Sequence, residues 1–133
     1  MSPDLPFSRA EYDERIAKAR AAMINKGIEL LIVTDPSNMA WLTGYDGWSF
    51  YEHQCELLPL DDAPLWYGRQ QDANGALRTV HMTPANIHAY PDDYVQSPER
   101  HPMDHLSGLM NQWGWGGLNI GVERWLGKTA QLR

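Results

Sequence analysis

Several features that mark particular classes of protein are scarce or missing in this sequence. The 133 residues include one cysteine, Cys55, which cannot form an internal disulfide and therefore favours a reducing compartment such as the cytoplasm. The longest apolar run, from Leu30 to Val33, is far too short to span a bilayer. No basic stretch followed by an apolar one opens the chain, which argues against a signal peptide. Basic residues number 11 against 17 acidic ones, so we expect no nucleic-acid or membrane partner.

The residues that are present predict one soluble globular domain over positions 1–133. Apolar residues make up 43% of the chain and charged residues 21%, which is ordinary for a domain with a sizeable core. Six tryptophans are many for this length. We expect most of them in the core and some at a subunit or domain interface, because large aromatic side chains contribute strongly to both.

Local signals predict a helix, a strand and a second helix in the first third of the chain. Ser8 and Glu11 have the spacing of a capping box, and Gly27 is a typical C-terminal stop, so together they bound the first helix. The aliphatic run within 29–34 predicts a buried strand. Asp35, followed by proline, predicts the start of a short second helix.

The rest of the chain continues the alternation. Further strands are predicted over 49–58, 64–68, 87–90 and 119–123, and helices over 71–80 and from Pro102 onward, with Met103, Leu106, Met110 and Trp113 facing inward. The order predicts an α/β domain with a mixed sheet, in which a hairpin of two consecutive strands supplies antiparallel pairing.

An aromatic segment hinged by glycines, Asn38 to Tyr51, is the most informative part of the sequence. Gly44 and Gly47 permit positive φ angles or the close approach of another chain. The aromatic side chains between and after these two glycines offer flat apolar surface with polar tips. They are Tyr45, Trp48, Phe50 and Tyr51. Loops of this kind present side chains to a ligand or partner, so we expect a pocket or interface role here.

Two pairs of residues have spacings found in metal sites or catalytic sites. His101 and His105 lie four apart, as two zinc ligands on one helix face would, although exposed histidines near a helix start explain them more simply. His53 and Cys55 share one face of a predicted strand and suit a base and a nucleophile, but a buried cysteine is the simpler interpretation. No glycine-rich nucleotide-binding motif is present.

A series of short motifs is shared, in order and spacing, with one enzyme family. They are the arginines of the first helix (Arg9, Arg15 and Arg20), the strand that follows Gly27, Asn38 after a turn, and Leu42-Thr43-Gly44-Tyr45. Over nearly the whole chain, to about Glu123, the sequence resembles the N-terminal domain of creatinase/prolidase-type metallohydrolases. Longer motifs, at 46–51, 53–55, 68–76, 94–97 and 99–104, resemble the branch of this family that opens ectoine, a cyclic amidine.

The resemblance implies a three-layer α/β/α domain with a mixed sheet, of the ribonuclease H-like type, within a homodimer. It also implies that catalysis takes place in a separate C-terminal domain, where two Asp, one His and two Glu hold the divalent metal of metal-dependent members. None of those positions matches this sequence, so we expect no catalytic residue and no cofactor in this domain. Because the chain stops at Arg133 just after a predicted strand, we interpret that end as a cut at a domain boundary.

The resemblance also suggests which residues of the aromatic loop face a substrate. In creatinase this loop sends a Phe, and two residues later an Arg, toward the substrate in the neighbouring subunit. Counted from Gly44, these positions are Phe50 and Glu52. Glu cannot pair with a carboxylate as Arg does, but it can face a cationic amidine. The residues expected at the substrate pocket or interface are Trp48, Phe50, Tyr51, Glu52 and His53.

Three functions are consistent with these observations. The first is a non-catalytic domain of a cytoplasmic hydrolase, which contributes to dimerisation and to a small-molecule pocket, in a parent that acts on ectoine or on Xaa-Pro peptides. The second is a free-standing module that binds a small ligand through the aromatic loop. The third is an enzyme that uses His53 and Cys55.

Overall fold

The computed structural model describes residues 7–45, 53–79, 84–94 and 97–122. The elements are α1 (Arg9–Lys26), β1 (Leu30–Val33), α2 (Pro36–Thr43), β2 (Cys55–Pro59), β3 (Leu65–Arg69), α3 (Gln70–Thr79), β4 (Ile87–Tyr90), α4 (Pro102–Gln112) and β5 (Ile120–Val122). Short 3₁₀ turns flank β4 at Pro84–Asn86 and Asp92–Tyr94. This order confirms the predicted alternation of helices and strands.

Five strands form one mixed sheet in the order β4-β3-β2-β1-β5. β2 is antiparallel to both of its neighbours, with Cys55 opposite Tyr67 and Leu57 opposite Ile32. The outer pairs, β3 with β4 and β1 with β5, are parallel. The predicted hairpin is therefore β2–β3, and β1 adds a second antiparallel pairing to β2.

The first helix is bounded by the local interactions that its sequence predicts. The Glu11 N–H donates to Ser8 Oγ at 3.2 Å, and the Phe7 and Tyr12 rings pack with their centroids 6.2 Å apart, as a hydrophobic staple requires. Gly27 ends the helix with a φ of 71°, which a residue without a Cβ adopts without strain. The inward face of α1 comprises Tyr12, Ile16, Ala19 and Met23.

Two hydrophobic clusters cover the opposite faces of the sheet. The first packs α1, α2 and α3 onto Val33, Leu58 and Trp66. The second packs α4, through Leu106 and Met110, onto the other face, formed by Leu30, Cys55, Leu57, Tyr67 and Tyr90. Successive strand residues alternate between the two clusters, as the pleat of a strand requires. The α/β class with a mixed sheet and helices on both faces is thereby confirmed.

Three details differ from the sequence-based expectation. β2 begins at Cys55, so His53 precedes the strand, while residues 49–52 lie outside the described part of the chain. Met103 does not face inward but is 37% exposed, because the buried face of α4 follows the i, i+4 series of Pro102, Leu106 and Met110. Of the four described tryptophans only Trp66 is fully buried, and Trp41, Trp113 and Trp115 are half-buried.

Candidate functional site

The residues that flank the aromatic loop (positions 46–53) form a buried polar cluster, which we call the loop neck (Thr43, Tyr45, Gln54 and Glu56). The Tyr45 hydroxyl donates to Gln54 Oε1 at 2.7 Å and so ties the two ends of the loop together. Thr43 Oγ1 hydrogen-bonds to Glu56 Oε2 just beneath that tie. All four residues are buried, with Tyr45 2% and Gln54 6% exposed. The neck therefore joins the residue that follows α2 and Gly44 to the residue that precedes β2.

The local sequence explains why the loop starts where it does. The Asn38 N–H donates to Asp35 Oδ2, which caps α2, and proline occupies its first turn. The helix ends at Gly44, whose φ of 87° turns the chain away from the helix axis. Tyr45 then packs its ring against Trp66 at a centroid distance of 5.4 Å. The start of the loop is thus fixed by a cap, a glycine and an aromatic contact.

The other end of the loop is held from the opposite face of the sheet. The Tyr90 hydroxyl donates to the His53 carbonyl at 2.7 Å. The exposed His53 ring packs against His101 with their centroids 4.6 Å apart. The Met103 N–H donates to His101 Nδ1, so His101 caps α4 and carries its proton on Nε2 when neutral. Of the predicted pocket residues, His53 is the one within the described part of the chain, and it is exposed just before the central strand β2.

Tyr67 connects α4 to the same end of the sheet. Its hydroxyl donates to the Pro102 carbonyl at 2.8 Å and lies 2.7 Å from His105 Nδ1. Because the hydroxyl has one hydrogen, both contacts are satisfied when His105 carries its proton on Nδ1. Burial, with smaller contributions from Cys55 and Tyr90, raises the pKa of the Tyr67 phenol far above its usual value. The phenol thus remains a hydrogen-bond donor at any ordinary pH.

The structure gives little support to the catalytic and metal-site alternatives. Cys55 is fully buried in the α4-side cluster, whereas His53 is exposed and faces His101, so the two are not arranged as a nucleophile and its base. The Nδ1 atoms of His101 and His105 make separate contacts, to a backbone N–H and to a phenol. In the described ranges no three or more His, Cys, Asp or Glu residues converge as metal ligands. No helix there is long and apolar enough to cross a membrane.

Four of the five predicted site residues, Trp48, Phe50, Tyr51 and Glu52, lie outside the described residues. Their pocket or interface role stays a prediction. Sequence analysis missed the side chains that hold the loop, above all Gln54 and Tyr90. Gln54 follows the exposed His53, and Tyr90 precedes the exposed Pro91, so the sequence around them gives no signal of a buried hydrogen-bonding role.

Comparison with known proteins identifies the family. Residues 15–132 match the creatinase/prolidase N-terminal domain. Ectoine hydrolase from Halomonas elongata is 58% identical over 120 residues, which are 90% of this chain and 30% of that enzyme. The chain thus spans about a third of the length of this curated relative.

Solved structures agree on the fold. An Xaa-Pro aminopeptidase from Streptococcus pyogenes superposes with a TM-score of 0.62 at 17% identity, covering 90% of this chain and 78% of that one. A proline dipeptidase from Streptococcus pneumoniae has a TM-score of 0.63, also at 17% identity, covering 82% and 73%. The chain belongs to the creatinase/prolidase N-terminal domain family.

Proposed function

We propose that this chain is the non-catalytic N-terminal domain of a cytoplasmic hydrolase, in which it forms one wall of the substrate pocket and contributes to a homodimer. The observation that carries the proposal is the loop neck, where Tyr45 and Gln54 hold the aromatic loop at both ends. A loop tied in this way presents its side chains from a rigid base, which is the requirement for a pocket wall.

Ectoine is the proposed substrate of the parent enzyme. The 58% identity to an ectoine hydrolase over nearly the whole of this chain supports that choice over an Xaa-Pro peptide, since the peptidase structures share the fold at only 17% identity. A divalent metal, expected in the separate C-terminal domain, would activate water for attack on the amidine carbon. The described part of this chain offers no ligand cluster for it.

Within the loop, Phe50 and Glu52 are the proposed substrate contacts. Phe50 would stack against the substrate ring, and Glu52 would face the cationic amidine. Both positions fall between Tyr45 and Gln54, the two ends of the neck, so any contact they make is supported by the buried polar cluster.

The proposal is tested with the full-length protein, ectoine and an Xaa-Pro dipeptide, each assayed with and without a metal chelator. We expect ring opening of ectoine, loss of that activity with chelator, and little hydrolysis of the dipeptide. If the full-length protein preferred the dipeptide, the parent enzyme would instead be an Xaa-Pro peptidase. Full activity of residues 1–133 alone, abolished by Cys55→Ser, would refute a non-catalytic role.

A further inference from the structure

A cavity of about 550 Å³ opens on the α4 side of the sheet, at the end opposite the loop neck. It lies between the β2–β3 turn, the start of β4 and the turn that follows α4. The side chains that characterise it are Asp62, Asn86, His88, Trp113 and Trp115. Its volume is within the range of small-molecule sites, and its lining combines apolar rings with a few polar groups.

Three aromatic rings contribute to the lining of this cavity. The His88 and Trp113 rings have centroids 5.0 Å apart and planes inclined by 57°. Trp113 and Trp115 repeat this arrangement at 5.0 Å and 61°. All three residues are only half-buried, although tryptophan usually buries most of its surface. The partly open rings therefore offer aromatic surface to a ligand in the cavity.

The charge of the lining favours a cation over an anion. Asp62 is an exposed acidic residue of the lining, and no lysine or arginine is among the described residues that line the cavity. Burial lowers the pKa of His88, so its ring is neutral at pH 7 and does not repel a cation. Arg20 reaches the β2–β3 turn from the α1 side, where its guanidinium donates to the backbone carbonyls of Pro59 and Asp62. The turn that carries Asp62 is thereby held in place.

The backbone at the end of α4 also favours a cation over an anion in this cavity. Trp113 is the C-cap residue of α4, so the negative end of that helix dipole is at the cavity. We propose that this cavity binds a small organic cation, such as a quaternary ammonium or amidinium group, between the tryptophan rings and the Asp62 carboxylate. Aromatic faces attract such cations by the ring quadrupole, and a neutral ligand of the same shape gains none of that attraction. The inference does not depend on the proposed function.

Isothermal titration calorimetry of the full-length protein tests this, with tetramethylammonium chloride as the probe and tert-butanol as a neutral ligand of similar shape. We expect tetramethylammonium to bind about tenfold more tightly than tert-butanol. Trp113→Leu should weaken the binding of the cation by a similar factor.

Two neighbouring aspartates provide a matched pair that leaves the core untouched. Asp62→Asn should weaken tetramethylammonium binding several-fold, whereas Asp61→Asn, at an exposed position that does not line the cavity, should not. Equal affinity for tetramethylammonium and tert-butanol would overturn the inference. So would an equal effect of the two aspartate substitutions, or the absence of cation binding.

Discussion

Replacing Tyr45 by Phe removes the hydroxyl that closes the loop neck and leaves the ring in place against Trp66. The lost bond is a 2.7 Å contact between side chains that are 2% and 6% exposed. A buried hydrogen bond contributes about 1 kcal/mol net, and leaving the Gln54 oxygen unsatisfied adds about 1 kcal/mol or more. We therefore expect the free energy of unfolding to fall by about 2 kcal/mol.

Tyr67→Phe is the matched control for this substitution. It removes a buried hydroxyl that contacts two partners, the Pro102 carbonyl and His105, and should cost at least as much stability. Tyr67 braces α4, whereas Tyr45 holds the aromatic loop. Tyr45→Phe should therefore lower kcat/KM of the full-length enzyme by about tenfold or more, because a misplaced pocket residue costs transition-state positioning, and Tyr67→Phe should lower it much less.

Urea unfolding followed by tryptophan fluorescence gives the stability of both variants, and steady-state assays give kcat/KM. We expect a midpoint shift for Tyr67→Phe at least as large as that for Tyr45→Phe, but the larger loss of activity for Tyr45→Phe. Equal losses of kcat/KM would show that activity follows overall stability, and an unchanged kcat/KM for Tyr45→Phe would show that the neck does not position the loop.

Two further predictions concern the fold itself. Gly68→Ala should destabilise the domain by about 1–3 kcal/mol, because the added Cβ would lie 2.6 Å from the fully buried Trp66 ring. Gly108→Ala, with open space at an exposed helical site, should instead stabilise the domain by about 0.5–1 kcal/mol. Thermal unfolding measures both changes. Burial lowers the pKa of His88 below 6.5, so below that pH the unfolded chain binds more protons and stability is lost. The drop in midpoint between pH 7.5 and pH 5.5 should be smaller in His88→Gln, and an equal drop would contradict this account.

The elements that the sequence predicts well are those with local causes. Ser8, Gly27 and Asp35 act on residues within one helical turn, and the structure shows each cap where its residue type places it. The strand Ile87–Tyr90 is bounded in the same way, by a turn before it and Pro91 after it. The inward position predicted for Met103 is wrong, because Pro102, the residue before it, occupies the α4 face that Leu106 and Met110 define.

The contacts that hold the loop depend instead on strand order, which no short segment encodes. Tyr90 is on β4 and His53 precedes β2, with β3 between those strands, so their hydrogen bond exists only in the order β4-β3-β2. The contact of Tyr45 with Trp66 likewise requires α2 to pack on the face of the sheet that carries the Trp66 side chain. The order of motifs and elements in the sequence predicts the family and the α/β class. Neither the periodicity nor the spacing of residues predicts the Tyr90–His53 and Tyr45–Trp66 contacts.

The most direct test of the central claim is kcat/KM for ectoine of the full-length protein carrying Phe50→Ala, with metal content and oligomeric state measured alongside. If the aromatic loop forms a wall of the substrate pocket, kcat/KM falls by about tenfold or more, because a stacking contact of about 1.4 kcal/mol is lost while metal content and oligomeric state stay as in the wild type. An unchanged kcat/KM would contradict the claim that this domain contributes to the pocket.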